Sequence, residues 1–392
     1  MRKILHLDLD AFFCAVEEQH DSSLRGKAFA VGGKPDERGV VASCSYAARQ
    51  FGVRSAMPMA QAVQRCPDLI IIPQHFEAYR TASRAVMAQL HNLTPLVEQL
   101  SIDEAFLDVS LRPDSAEAIA RSLQAAINRD LDLPCSLGVA SNKLVAKIAN
   151  NIGKGRVRTG QPPNAIEIVP PGHEAAYLAP LPVQELWGVG PATAERLRQL
   201  GITTIGALAH WPADDLARRF GKHGAALARH ARGDDDRPVT SEHVARSISK
   251  ETTFNRDVHD GAVLRRTLRA LADGVGAQVR REGLAGRTIT LKLRWADFTT
   301  LTRQVTLAHT TDRDNEIFEV AQHLLAEHWP EGKAVRLIGV GVSAFENPHH
   351  QLGLWDDRAA LEQDQRLQSA LDNIRERFGD NAVQRGSTLK DD

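Results

Sequence analysis

Two groups of acidic residues, far apart in the chain, lie within apolar runs. Asp8 follows the apolar residues that begin at Ile4, and the pair Asp103-Glu104 interrupts a second apolar run. Removing water from an ionised carboxylate costs several kcal/mol or more, so such acids need a compensating charge. Mg²⁺ prefers carboxylate and phosphate oxygens and would compensate all of them together. The pattern therefore predicts a magnesium site for phosphoryl transfer.

The second acidic group stands where the hydrophobic periodicity changes phase. Leu100 and Ile102 share one parity, whereas Ala105 and Leu107 have the opposite parity. A one-residue change of phase turns every side chain to the other face of a strand, so a turn or bulge is expected at residues 103–104. Two neighbouring carboxylates can then point to one place. A lone Asp-Glu pair is more often the solvated tip of a hairpin, and only Asp8 and the features below favour the metal site.

The composition is that of an ordinary globular protein of more than one domain. The chain has 392 residues, 43% of them hydrophobic and 25% charged. It has no apolar run near the ~20 residues of a membrane span and no signal-peptide pattern, so we expect a cytoplasmic protein without a membrane partner. Its four cysteines are widely spaced, without a Cys-x-x-Cys motif. That spacing argues against zinc and disulfides and favours reduced thiols.

The charge is unevenly distributed along the chain. The net charge is −1, but residues 246–303 carry twelve basic and six acidic residues, and residues 351–392 carry nine acidic and six basic ones. A basic segment of this kind binds a polyanion or forms a solvated face, and composition alone leaves both open.

The first part of the chain predicts a split βαβ unit. The pattern indicates a strand over 3–9, a helix near 11–19, an irregular region over 26–73, a helix over 76–93, a hairpin over 97–109, a helix over 115–130 with Asp114 and Glu117 as its capping box, a strand over 135–140 and a helix over 142–152. Residues 11–72 are an insertion after the first strand of this unit.

Residues 246–345 repeat this order of elements. Strands are predicted over 247–253, 287–295, 300–307 and 335–345, with helices over 261–281 and 315–329. Ile289 and Leu291 belong to the apolar face of the second strand, and Lys292 and Arg294 belong to its polar face. We expect this face to meet water or a phosphate backbone.

Between these units lies a short helical region, residues 178–233. Gly188 and Gly190 flank a tight turn, and Pro191 follows at the first position of a helix. This is the pattern of a helix-hairpin-helix, whose backbone N–H groups can bind phosphate. An ordinary turn between helices explains the same residues equally well.

Three long motifs together resemble the Y-family DNA polymerases, in particular their bacterial DinB type. They are residues 8–13 (DLDAFF), 46–58 (YAARQFGVRSAMP) and 101–108 (SIDEAFLD). The resemblance runs from Arg2 to about Phe345. It implies an α+β multidomain, right-hand polymerase with a ferredoxin-like split-βαβ palm, small fingers, a helical thumb with a helix-hairpin-helix and a βαββαβ little finger. The implied boundaries are 1–10 and 73–165 for the palm, 11–72 for the fingers, 166–233 for the thumb, 234–245 for a linker, 246–345 for the little finger and 346–392 for a tail.

The resemblance also implies the roles of individual residues. Asp8, Asp103 and Glu104 would be the catalytic acids and hold two Mg²⁺, with the Leu9 carbonyl as a further ligand. Tyr46, Arg49 and Lys154 would bind the triphosphate of the incoming dNTP. The family usually has Pro-x-Gly after this lysine, and here Gly155-Arg156-Val157 follows it.

Phe13 matches the position that excludes ribonucleotides, although without the motif a core aromatic is the better explanation. Primer–template DNA would contact Gly188 and Gly190 of the hairpin, and Lys292 and Arg294 of the little finger.

The tail contains a short peptide that resembles a sliding-clamp ligand. It consists of Gln351, Leu352, Gly353, Leu354 and Trp355. The implied function is template-directed, low-fidelity and low-processivity DNA synthesis by a monomer in translesion synthesis. Two alternatives remain: a non-catalytic DNA-binding scaffold of the same family, which would be expected to lack the acids, and a nucleotidyl cyclase, which would have no use for the DNA-binding modules.

Overall fold

The computed structural model describes residues 1–157, 160–242, 244–346, 358–379, 382–383 and 386. The chain forms two compact units, Met1–His243 and Val244–Asp392.

The first unit contains the elements expected of the palm, fingers and thumb. In chain order they are β1 Ile4–Leu9, α1 Phe12–His20, β2 Phe29–Gly32, β3 Val41–Cys44, α2 Tyr46–Gln50, α3 Met59–Arg65, β4 Ile70–Ile72, α4 Phe76–Leu93, β5 Val97–Gln99, β6 Glu104–Asp108, α5 Ala116–Leu131, β7 Cys135–Ala140, α6 Lys143–Arg156, β8 Ile166–Ile168, α7 Glu174–Leu178, α8 Pro191–Gln199, α9 Ile205–Ala209, α10 Ala213–Phe220 and α11 Lys222–His230.

The largest sheet of this unit has the ferredoxin-like strand order. The order is β5-β6-β1-β7-β8, in which the first four strands are antiparallel and β8 joins β7 in parallel. Leu5 and Leu7 of β1 pack into one core with α4 and α5, whereas Ile4 packs into another with α6 and the helical segment that follows. Both faces of β1 are therefore covered, which confirms the predicted split βαβ palm.

Residues 26–73 are more ordered than the sequence indicated. We expected an irregular region, but β2 pairs with β3 antiparallel and with β4 in parallel, and α2 and α3 pack on this small sheet around Met59 and Val53. The strands have only three or four residues. Such short strands give too little alternation to be recognised among the glycines, prolines and arginines of this region.

Two helix ends differ from the sequence prediction. Helix α5 is capped by Ser115, whose hydroxyl accepts a hydrogen bond from the Ala118 amide, so the capping box predicted at Asp114 is wrong. Helix α6 continues to Arg156, one turn beyond its predicted end at residue 152. Lys154 is therefore a helical residue.

The region after α11 is partly packed against α6. Asp235 is buried and accepts a hydrogen bond of 3.0 Å from the Leu144 amide near the start of α6. Val239 is also buried. Of the residues predicted as a linker, 234–245, at least these two therefore belong to the core of the first unit.

The second unit has the predicted order of elements up to its last strand, and a further helix follows it. They are β9 Ser247–Val258, α12 Gly261–Arg281, β10 Ala285–Trp295, β11 Thr300–Thr311, α13 Asp314–His328, β12 Val335–Glu346 and α14 Arg358–Phe378. The sheet order is β11-β10-β12-β9, and all its pairs are antiparallel. Arg280 of α12 makes an ion pair of 2.6 Å with Asp372, which joins α14 to this unit.

Both glycines in the middle of β12 belong to the polar face of this sheet. Gly339 pairs with Lys292 on one side and Glu251 on the other, and Gly341 lies two residues further along the same face. A Cβ atom at Gly339 would lie 2.8 Å from the Glu251 Cβ. The side chains of Lys292 and Glu251 therefore meet across a position that has no side chain of its own.

The four cysteines, Cys14, Cys44, Cys66 and Cys135, are free and buried. Burial raises the pKa of the Cys14 thiol to about 12. None of the helices described here combines the length and the apolar character that crossing a bilayer requires.

Candidate active site

The backbone brings the three acids of the two sequence groups together. Asp8 on β1 and Glu104 on β6 are direct partners in the antiparallel ladder. Just beyond this pair, the Leu9 amide donates a hydrogen bond of 3.0 Å to the Asp103 carbonyl. Partners in such a ladder have Cα atoms about 4.5–5.5 Å apart. The acids of both groups therefore lie at the same end of two adjacent central strands.

A tight turn between β5 and β6 produces the predicted change of phase. The Leu100 amide donates to the Glu104 carbonyl across 2.9 Å, which closes the turn. The Ser101 hydroxyl donates to the Asp103 carboxylate across 2.5 Å. The turn thus orients Asp103 next to the strand position of Glu104.

Glu104 is held by a histidine and a lysine. Its Oε1 atom accepts a hydrogen bond of 2.5 Å from Nε2 of the buried His6, and it makes an ion pair with Lys147 of α6. Asn150 donates to the other ring nitrogen of His6 across 2.9 Å, which leaves the proton on Nε2. Burial, together with the charge of Lys147, lowers the pKa of His6 to about 3. His6 is therefore neutral and acts as a fixed donor to Glu104.

Lys154 connects Asp8 to a second, buried acid. Its ammonium lies 2.5 Å from Asp8 Oδ1 and 3.0 Å from Asp10 Oδ1. Burial opposes the charge of this lysine, but the two carboxylates outweigh burial and raise the pKa of Lys154. Asp10 also accepts hydrogen bonds from the Ser136 hydroxyl and from the backbone N–H of Asn164. These contacts fix Asp10 as a structural anchor for Lys154.

The donor set suits a hard divalent cation, but two of its three carboxylates are bound to ammonium groups. Among the described residues, no three acidic, histidine or cysteine side chains are gathered as metal ligands. The contacts explain this, because Glu104 faces Lys147 and Asp8 faces Lys154. Three carboxylates at one sheet end still offer the oxygen ligands that Mg²⁺ prefers. A cation that bound there would compete with both lysines.

A cavity of about 600 Å³ beside the acids contains most of the predicted nucleotide-binding residues. The predicted residues that line it are Asp8, Leu9, Phe13, Tyr46, Arg49, Asp103 and Lys154. Glu104 is not among the lining residues, since its carboxylate turns towards His6 and Lys147. The cavity therefore combines acids at its base with a phenol, a guanidinium and an ammonium group on its walls.

Tyr46 and Arg49 are positioned by the short helix α2. Ser45 caps this helix by accepting a hydrogen bond from the Ala48 amide. The Arg49 guanidinium lies 4.5 Å from the centre of the Tyr46 ring, in a cation–π contact. The two donors thus form one unit on the cavity wall.

Phe13 lies against a tyrosine that the sequence did not single out. Its ring stacks on that of Tyr79 in α4, with centroids 4.1 Å apart and an angle of 10° between the planes. The Tyr79 hydroxyl donates to the buried Glu17, which also contacts His75 at 2.9 Å. Position 79 on the buried face of α4 was the only sequence signal for this contact. The stack on Tyr79 therefore fixes the orientation of the Phe13 ring.

The predicted hairpin contains one glycine that the backbone requires and one that it does not. Gly188 has φ of 99°, in the left-handed region that favours glycine. Gly190 has an ordinary φ of −77° and precedes Pro191 at the start of α8. A Cβ atom at Gly190 would meet nothing within 4 Å, so its surroundings leave space for a ligand backbone.

Lys292 and Arg294 lie on the polar face of the second unit. Lys292 makes an ion pair of 2.7 Å with Glu251, and Arg294 donates to the Thr300 hydroxyl across 2.9 Å. The clamp-binding peptide predicted at residues 351–355 lies outside the described residues.

Models of one family match most of the chain. The impB/mucB/samB family matches residues 7–151, its C-terminal domain matches 245–354, and the helix-hairpin-helix motif of the same family matches 171–202.

Similar proteins are named as DNA polymerases. The chain is 40% identical to DNA polymerase IV of Desulfatibacillum aliphaticivorans over 99% of this chain and 97% of that one. It is 45% identical to DNA polymerase IV of Streptomyces coelicolor over 87% of this chain and 71% of the other. Among solved structures, a Y-family DNA polymerase chimera of Dbh and Dpo4 matches with a TM-score of 0.77, at 25% identity over 87% of this chain and 98% of the chimera. An insertion ternary complex of Dbh DNA polymerase matches with a TM-score of 0.60, at 26% identity and the same coverage.

Proposed function

The chain belongs to the impB/mucB/samB family and is a Y-family DNA polymerase of the DNA polymerase IV type, and we propose that the cavity at Asp8 is its active site. The enzyme is a DNA-directed DNA polymerase that acts in translesion synthesis. Its relatives and structural neighbours are themselves polymerases, and nothing favours the alternative of a non-catalytic scaffold. The observation that supports the location of the site is the pairing of Asp8, which lines the cavity, with Glu104 on the adjacent strand.

In this proposal, Asp8, Asp103 and Glu104 would hold two Mg²⁺, with the carbonyl of Leu9 as a further ligand. When bound, the ions would lower the pKa of the primer 3′-hydroxyl and neutralise charge on the triphosphate. His6 would keep the Glu104 carboxylate oriented, because it is a neutral and buried donor.

The cavity wall would hold the incoming dNTP. The Tyr46 hydroxyl and the Arg49 guanidinium donate hydrogen bonds that suit phosphate oxygens, and Lys154 supplies a compact positive charge. Phe13 would lie under the deoxyribose, where its ring would leave no room for a 2′-hydroxyl. The stack on Tyr79 would prevent the ring from moving aside.

Primer–template DNA would be bound by two separate surfaces. The hairpin at Gly188 and Gly190 would present backbone N–H groups to phosphate. Lys292 and Arg294 would contact phosphates from the polar face of the second unit. Since the substrates of the enzyme are DNA and dNTPs, we propose that it works in the cytoplasm, and that it does so as a monomer.

Substitution of Asp8 by Asn tests the site. We expect primer extension to fall by at least about 100-fold, because an amide is a much poorer cation ligand than a carboxylate. Asp108→Asn is the matched control, since Asp108 lies at the far end of the same ladder. Extension is measured on undamaged and lesion-bearing templates, with each dNTP supplied singly and Mg²⁺ withheld as a blank. Equal rates for the Asp8 and Asp108 variants would reject the assignment.

Deletion of residues 351–355 tests the proposed contact with a sliding clamp. A glutamine followed by leucines and an aromatic residue suits an apolar pocket with polar rim contacts. We expect the deletion to remove the gain in product length that the clamp gives, without changing distributive synthesis. Deleting residues 386–390 instead provides a control of equal length, and an undiminished clamp effect in the first variant would contradict the proposal.

A further inference from the structure

Strand β6 and helix α6 face each other, and their facing side chains are spaced at similar distances along the two elements. Glu104 and Phe106 are two residues apart on one face of β6, a distance of about 6.6 Å. Lys143 and Lys147 are four residues apart on α6, about 6 Å along the helix. Lys147 pairs with Glu104, and the Lys143 ammonium lies 5.3 Å from the centre of the Phe106 ring. Lys143 also makes an ion pair of 2.6 Å with Glu98 of the neighbouring strand β5, so each lysine has a carboxylate partner of its own on the sheet.

Trp187 lies beside this pair of elements. Its ring is 5.9 Å from that of Phe106 and 5.6 Å from the ammonium of Lys147. A second cation, the Arg237 guanidinium, lies 4.6 Å from the centre of the Trp187 ring. An ion pair of 2.6 Å with Asp235 holds this guanidinium in place. The indole thus has a defined position next to the lysine that holds Glu104.

The Lys147 ammonium thus contacts a charged group, the Glu104 carboxylate, and an uncharged one, the Trp187 ring. A divalent cation on Glu104 would repel this ammonium at short distance. An aromatic face attracts a cation without offering a charge for which the metal could compete. Trp187 can therefore stabilise Lys147 when Glu104 binds metal.

We propose that Trp187 is a positioning residue for metal binding, which holds the Lys147 ammonium after it leaves the Glu104 carboxylate. The inference rests on the proposed role of Glu104 as a metal ligand. Because Trp187 directly precedes Gly188, it also links the hairpin proposed to bind DNA with the acidic end of the palm sheet.

The test measures Mn²⁺ binding to the full-length chain by electron paramagnetic resonance, with the Glu104→Gln variant as the blank for this site. We expect Trp187→Leu to weaken Mn²⁺ binding by about 3- to 10-fold, the size of a partly desolvated cation–π contact. Trp187→Phe keeps an aromatic face and should lose less than about 2-fold. Trp211→Phe, elsewhere in the helical region, should change nothing.

A double variant shows whether the effect passes through Lys147. Lys147→Met removes the competing ammonium, so it should tighten Mn²⁺ binding, and adding Trp187→Leu should then have no further effect. Thermal melts followed by circular dichroism establish that each variant is folded.

Three results would overturn the inference: unchanged Mn²⁺ binding in Trp187→Leu, equal losses in the Leu and Phe variants, or the same loss in the Lys147→Met background. If Glu104→Gln bound Mn²⁺ as tightly as the unaltered chain, the proposed metal site itself would fail and the inference with it.

Discussion

The palm of the first unit and the sheet of the second unit use the same order of elements but arrange their strands differently. If the four strands β1, β5, β6 and β7 of the palm are numbered in chain order, without the added strand β8, their order in the sheet is 4-1-3-2. The four strands of the second sheet, numbered in the same way, have the order 1-4-2-3. In the palm, the first strand is central and carries Asp8 beside Glu104. In the second unit, the last strand is central and carries Gly339 and Gly341.

The difference in the central strand matches the different roles proposed for the two sheets, catalysis for the palm and DNA binding for the second unit. A central strand that ends in acids, flanked by a neighbour with another acid, concentrates charge at one sheet end. A central strand with glycines on its polar face lets Lys292 and Glu251, from the strands on either side, pair across it. Each unit contains a Glu–Lys pair, between β6 and α6 in the palm and across β12 in the second unit, but of these two pairs only the palm pair lies at a cluster of further acids. The two units should therefore respond differently to equivalent substitutions.

The sharpest comparison is Glu104→Gln against Glu251→Gln. The palm variant should lose about 10³-fold in the rate of single-nucleotide incorporation, because it removes a proposed metal ligand. The second variant should keep that rate and bind DNA a few-fold more tightly, since it frees Lys292 for phosphate. Pre-steady-state incorporation and DNA titrations measure the two quantities. A loss of rate in Glu251→Gln would erase the distinction between the units.

Phe13→Val tests selectivity in the first unit. Removing the ring should lower the preference for dNTPs over rNTPs by about 10- to 100-fold, because the space for a 2′-hydroxyl opens. The affinity for DNA should not change. Phe76→Leu is the control, because it removes a neighbouring aromatic ring but leaves the Phe13 ring in place. The Phe76 ring lies edge-on to that of Phe13, with the ring centres 6.3 Å apart. Retained exclusion of rNTPs would return Phe13 to a purely structural role.

The smallest effect is expected from Lys292→Ala. Loss of one phosphate contact should weaken DNA binding by about 2- to 5-fold and reduce the slope of log affinity against log salt by about 1. The rate of nucleotide incorporation at saturating DNA should not change. Arg281→Ala removes an equal charge from the end of α12, in the helical layer, and should have no effect. Identical salt slopes for both variants would show that the polar face does not bind DNA.

Local patterns predicted the elements where periodicity is long and regular. Helix α4 and helix α12 begin and end where the sequence indicated, at Phe76–Leu93 and Gly261–Arg281. The phase change at residues 103–104 predicted the turn that gathers the acids. The strand order of the second unit could not be predicted in this way, because both orders place the same residues on the same faces.

The missed features depend on contacts between distant residues. Gly153 and Gly155 gave no reason to extend α6, yet Glu167 and Ala165 pack against Gly153 and the helix continues to Lys154 and beyond. His6, Lys147 and Tyr79 appear in the sequence as ordinary strand and helix positions. Their roles emerge only when Glu104, Phe13 and Glu17 are placed beside them in space.

The burial of all four cysteines has a practical consequence for spectroscopy. Each thiol is at most 2% exposed, so maleimide dyes should react slowly with the unaltered chain. A cysteine introduced at Leu111, whose side chain is 93% exposed, would then be the single fast-reacting site. Fluorophores could be attached to the palm without first replacing native thiols, and its motions during nucleotide addition could be followed by energy transfer to labelled DNA.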